Sequence, residues 1–144
     1  MDFSKYAQKG NKFLKEVSAE TGKIDDIESA GRLVRAVFHV LRDIISKEES
    51  LQLISQLPMA LKSVYVDGWT FKEKNEQIRH IDDFINEVVK KDSPAGYCEF
   101  KSKKEALHAI ESVFKVLKRY VSEGEIEDIR ATLSIDLKFL CDVT

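Results

Sequence analysis

Ala30-Gly31-Arg32-Leu33-Val34-Arg35-Ala36-Val37-Phe38-His39-Val40-Leu41-Arg42-Asp43-Ile44-Ile45-Ser46-Lys47-Glu48-Glu49 is the stretch on which the fold turns. At 100° per residue its apolar members Ala30, Leu33, Val34, Val37, Phe38, Val40, Leu41, Ile44 and Ile45 fill an arc of about 160°. That arc is too broad for a helix with a single neighbour, so the spacing predicts a central helix over 29–45 packed on two sides. The stretch is also written again further on. Ala30, Val37, Phe38, Val40, Leu41, Ser46, Glu49, Leu57 and Leu61 recur as Ala106, Val113, Phe114, Val116, Leu117, Ser122, Glu125, Leu133 and Leu137 at a constant offset of 76. Upstream, Phe13-Leu14-Lys15-Glu16-Val17 answers Phe84-Ile85-Asn86-Glu87-Val88 at an offset of 71. The second copy therefore carries about five extra residues in one loop, and the chain reads as a tandem pair of helical units.

Working outward, Phe3, Tyr6, Ala7, Phe13, Leu14 and Val17 keep a helical period, and Gly22 follows them as a C-terminal glycine does, so a first helix is expected over 2–20. The second central helix is expected over 104–121. Ser46-Lys47-Glu48-Glu49 and Ser122-Glu123-Gly124-Glu125 are S-x-x-E boxes: the serine oxygen accepts from the third helical amide and the glutamate reaches back to the serine amide. Leu57-Pro58 breaks the first copy into a pair of short helices, because proline lacks the amide that would continue one and suits the first turn of the next. Ser134 takes that place in the second copy, as an expected N-cap for 135–141. A further helix is expected over 76–91, ended by Asp92-Ser93-Pro94-Ala95-Gly96. No Val/Ile/Thr-rich alternation argues for a sheet. The predicted class is all-α: one compact domain over 1–144, a helical bundle of two pseudo-symmetric repeats of three to four helices, about 2–68 and 75–142, joined by a loop at 67–75.

Composition narrows the function classes. With 144 residues, 43% hydrophobic and 33% charged, two prolines and six glycines, the chain suits a folded helical domain. A net charge of -2 gives no global pull toward phosphate backbones or anionic lipid, so nucleic acid is not expected as a partner. The Met-Asp-Phe-Ser-Lys-Tyr start lacks the features of a signal peptide and no apolar run is long enough to cross a bilayer, from which a cytoplasmic location is expected. Cys98 and Cys141 have no C-x-x-C spacing and are expected to be free thiols.

Four separated motifs then carry a family resemblance. Arg35-Ala36-Val37-Phe38-His39-Val40-Leu41-Arg42-Asp43, Gln56-Leu57-Pro58-Met59, Tyr65-Val66-Asp67-Gly68-Trp69 and Gly124-Glu125-Ile126-Glu127-Asp128-Ile129-Arg130 occur in order. Over residues 13–140 the chain resembles the bacterial family catalogued as domain of unknown function 2267. The resemblance implies a compact duplicated helical bundle in a bacterial cytoplasm, with a globin-like arrangement among those it allows. It supplies no activity, cofactor or catalytic residue. Ser134 departs from the Leu-Pro that such proteins often carry in the second copy.

Candidate site residues fall into a few sets. Arg32, Arg35, His39 and Arg42 sit at i, i+3, i+7 and i+10, so a helix gathers them into a basic stripe able to contact an anion or a partner. The stripe points away from the apolar arc, which predicts a solvated polar face. Tyr65, Trp69 and Phe71, with Met59, suggest an aromatic surface for a partner, against the plainer reading that Trp69 closes the seam between the copies. Glu76, His80, Asp83 and Glu87 form a row at helical spacing, yet on the face opposite Ile78, Ile81, Phe84, Ile85, Val88 and Val89, where ion pairs rather than a metal are expected. Lys101, Lys103 and Lys104 read as solvated loop charges, since three lysines make no nucleic-acid tract. His39, His80 and His108 are the only groups with a base's ordinary pKa. All three are placed outward, which argues against a haem ligand, and none lies in a nucleophile motif.

No metal, cofactor or catalytic residue is assigned. The preferred reading is a non-catalytic module for protein interaction or self-assembly. Two others stand beside it: a nucleic-acid or anion binder through the basic stripe, and a small-molecule binder or enzyme with a pocket between the repeats.

Overall fold

Apolar residues at helical period, punctuated by serine caps, glycine and proline, divide the chain into helices, which a computed structural model describes for residues 1–93, 96 and 98–144. Helix α1 spans Ser4–Thr21, α2 Ile27–Ile44, α3 Lys47–Gln56, α4 Met59–Val66, α5 Ile81–Asp92, α6 Lys103–Tyr120 and α7 Glu123–Thr132, and a 3-10 helix over Ile135–Asp142 follows. There is no strand among the described residues, and the fold is all-α as expected. The bounds of α6, α7 and the 3-10 helix lie 76 residues beyond those of α2, α3 and α4.

Helix α1 stops where Gly22, at φ 84°, takes the left-handed conformation that an L side chain resists, and its N–H bonds the Ala19 carbonyl at 3.1 Å. Helix α2 packs against α1, α4, α5 and α6, so more of its surface is covered than the apolar arc alone requires. Helix α1 lies on both α2 and α6, while α5 lies chiefly on α2; α3 meets α7. Both long N-terminal helices of the predicted units thus lean on the other unit's central helix. One hydrophobic cluster runs from Phe13 to Cys141. Within it Phe13 meets Phe38 edge-on at 6.2 Å, Phe38 meets Tyr65 at 5.7 Å and Phe84 meets Phe114 at 6.3 Å. Each such ring, fully withdrawn from water, contributes about 1.5–3 kcal/mol.

The 76–91 helix begins later than its spacing predicts, at Ile81. Asp83 accepts from the backbone N–H of Arg79 at 3.2 Å and of His80 at 3.0 Å, capping the helix there, and Asn75 Oδ1 accepts from Gln77 N in the turn before it. Glu76 and His80 therefore lie off the helix, and the carboxylate-imidazole row does not form. His80 Nδ1 instead lies 2.7 Å from Asp136. Ser134 stands at the N-cap of the 3-10 helix as expected, its carbonyl accepting from Leu137 N at 2.9 Å, but its hydroxyl donates to the Arg79 carbonyl at 2.5 Å instead of accepting from a helix amide. The expected stop at Pro94 and Ala95 lies outside the described residues, but the flanks are tied down. Asp92, only 2% exposed, accepts from Arg32 Nε at 2.9 Å and from Cys98 N at 2.7 Å.

Candidate functional site

The basic stripe of α2 is not the solvated face that the arc predicts, because the C-terminal end of α4 and the end of α5 cover it. His39 is 3% exposed, and its Nε2 lies 2.8 Å from the Val64 carbonyl, to which it donates. Arg42 Nη1 donates to the carbonyls of Tyr65 at 2.7 Å and Asp67 at 2.8 Å. Arg35 reaches Asp67 at 3.4 Å, and Arg32 holds Asp92. The last carbonyls of a helix have no partner within it and carry partial negative charge, which cationic and N–H donors satisfy. His39, Arg42 and Arg35 thus latch the end of α4, and Arg32 latches the end of α5. Burial pulls the His39 imidazole down to about 4, against the opposing effect of the Val64 bond, so the ring is neutral at pH 7. His80 and His108 are exposed, as expected.

The aromatic set divides. Tyr65 is fully buried, its hydroxyl 2.7 Å from Ser50 Oγ, and burial raises its pKa. Trp69 is half-buried against Tyr65, edge-on at 5.9 Å, and Phe71 stacks on Trp69 at 4.3 Å with 53% of its surface exposed. Phe71 has φ 57°, an uncommon conformation for a residue with a bulky side chain. Its loop is pinned where Asn75 N donates to the Asp43 carbonyl at 2.7 Å. Met59, 50% exposed, and Val66, 42% exposed, are seven residues apart on one face of α4, and Val66 shares a turn with Trp69.

A third cluster arises from residues that the sequence assigns to capping. Ser46 Oγ accepts from Glu49 N at 3.1 Å and Ser122 Oγ from Glu125 N at 3.2 Å, so the serine half of each box forms. The glutamate half forms in neither box. Gln56, reaching from α3, takes the Ser122 N–H at 2.7 Å. Freed from that duty, Glu125 turns toward Glu49 where α7 meets α3, and Asp128 stands one turn along. Carboxylate oxygens of the three lie within 4.8 Å of one another. Glu125 is only 4% exposed, and buried Oε2 atoms of both Glu49 and Glu125 have no hydrogen-bond partner. Burial, and then the neighbouring Glu49, push the Glu125 carboxyl up to about 8, so the pair retains a proton at neutral pH. The signal that would have found this site is the offset itself, which makes Glu49 and Glu125 equivalent positions.

Other features offer less chemistry. A cavity of about 60 Å³ lies among α1, α2 and α6, lined by Ala30, Leu33, Cys98, Phe100 and Ala109; that is less than half the roughly 150 Å³ that admits benzene. Cys98 and Cys141 are free and buried, and burial pushes their thiols up to about 12 and about 11, far from nucleophilic thiolates. Lys103 pairs with Asp82 at 3.0 Å. No helix among the described residues is long and apolar enough to cross a membrane.

These observations define a class first: an all-helical protein whose polar groups mostly lock helices to one another. The family model described as "Uncharacterized conserved protein (DUF2267)" matches residues 10–140, and the chain belongs to that family. No curated protein matches it.

Proposed function

We propose that the chain is a single helical domain built as two copies of one unit, and that it serves as a non-catalytic module that binds another protein or a second copy of itself. The observation that carries this reading is Phe71. A bulky residue in the left-handed region costs on the order of 1 kcal/mol, and half of this ring faces water while it stacks on Trp69. Phe71 stacks on Trp69, and Trp69 shares a turn with exposed Val66, so an aromatic pair with an apolar neighbour faces water in the manner of a partner surface. The coincident bounds of α2 to α4 and α6 to the 3-10 helix support the two-copy reading.

The anion-binding alternative loses its support, since His39 and Arg42 are engaged with backbone carbonyls and Arg32 with Asp92. For a carrier or an enzyme with a pocket between the copies, the cavity of about 60 Å³ is too small to hold a ligand, and the larger clefts, of about 500 Å³ beside Glu20 and Lys115 and about 610 Å³ beside Asp82 and Lys103, lie open to solvent. A photo-crosslinking amino acid placed at position 71 and irradiated in the native host tests the proposal. One dominant adduct, with a single protein or with the chain itself, is expected. A smear indistinguishable from that given by the probe at an exposed charged position such as Lys9 would refute it.

A further inference from the structure

We propose that Glu49, Glu125 and Asp128 hold one divalent cation at the contact between α3 and α7. The donor set is oxygen only, which suits the hard cations calcium, magnesium and manganese rather than zinc or copper. Donor atoms within 4.8 Å of one another fit around an ion bonded to oxygen at 2.3–2.6 Å, the calcium range. An acidic cluster alone is a commonplace of protein surfaces, but here Glu125 and one oxygen of Glu49 are withdrawn from water while only Asp128 is exposed. Glu125 is 4% exposed, and its Oε2, like that of Glu49, is withdrawn from water with no donor from any other residue, only the proton that the pair itself holds. A buried carboxylate oxygen without a donor is costly. None of the three residues belongs to an ion pair among the described residues, whereas the acids facing the α1 and α6 contact, Glu16 and Glu20, are matched by Arg119 and Lys115. What the α3 and α7 contact lacks is a positive charge, and a cation supplies it while joining the two halves. Exposed Asp128 sits on the solvent side, where water completes the coordination.

Three protein carboxylates make a weak site, so affinity in the 10⁻⁴–10⁻³ M range is expected. The test is thermal unfolding of the full chain at pH 8 with calcium chloride, magnesium chloride or manganese chloride, each against sodium chloride of equal ionic strength. Calcium at ten times its Kd should raise Tm by about 3–6 °C. Glu125→Gln should abolish the rise. Asp128→Asn, at an exposed position that leaves the fold intact, should weaken calcium binding in calorimetry by about tenfold. A wild-type Tm indifferent to all three ions up to 10 mM would overturn the proposal and assign the pair to a shared proton. So would a rise that persists in both variants, which would mark it as non-specific.

Discussion

Burial shifts Glu125 and His39 in opposite senses, and the two make opposite contributions to the pH dependence of stability. The carboxyl of Glu125 is raised to about 8, so between an unfolded value of about 4.3 and about 8 the folded chain holds the extra proton. Its contribution to stability is full at the acid end of that window and is lost as pH rises through about 8. His39 is lowered to about 4, so its contribution is present above about 6.5 and is lost as pH falls toward 4. In chelator-treated protein, denaturant titrations from pH 6.5 to 8, below the range in which the unfolded thiols of Cys98 and Cys141 ionise, should therefore show stability falling with pH, and Glu125→Gln should flatten that slope. A wild-type slope retained in the variant would remove Glu125 as its source. His39→Ala should cost about 2 kcal/mol at pH 7, since it strips the donor from the Val64 carbonyl and opens a void in the latch. The arc of α2 was readable from sequence, but the burial of His39 was not. An arc says how many apolar positions a helix has, and it does not reveal that another helix's carbonyls will come to rest on the polar side.

At the scale of elements, caps and close approaches decide the packing. Ser46 and Ser122 each satisfy one amide at a helix start, so Ser46→Ala and Ser122→Ala should each cost about 1 kcal/mol by urea denaturation. A loss well beyond that in Ser122→Ala would mean that the α3 contact through Gln56 fails with it. Gly10 leaves room for α4 against α1: a Cβ there would sit 2.7 Å from the Ala60 Cβ, an atom fixed directly to backbone. Gly10→Ala should therefore destabilise by about 1–3 kcal/mol, despite alanine's better helix propensity, and a stabilised variant would contradict that packing. The serine caps were legible because they act within four residues. The displacement of Glu125 from its cap was not legible, because Gln56 stands 66 residues before Ser122 and only packing brings it there. The late start of α5 has a similar cause, for the apolar period persists through Ile78 while Asp83 caps the helix at His80.

For the whole molecule, the all-α class followed from periodicity, and the family from four ordered motifs. The interlocking of α1 with α6 and of α5 with α2 was not legible, since both central helices present arcs of the same kind to either neighbour. The surface around Phe71 is the proposed docking surface, and native mass spectrometry of the protein isolated gently from its host, wild type beside Phe71→Glu, tests that most directly. The predicted result is one protein partner, or a defined homo-oligomer, in the wild type and a bare monomer in the variant. A bare monomer in both, or a complex that survives Phe71→Glu unchanged, would contradict it.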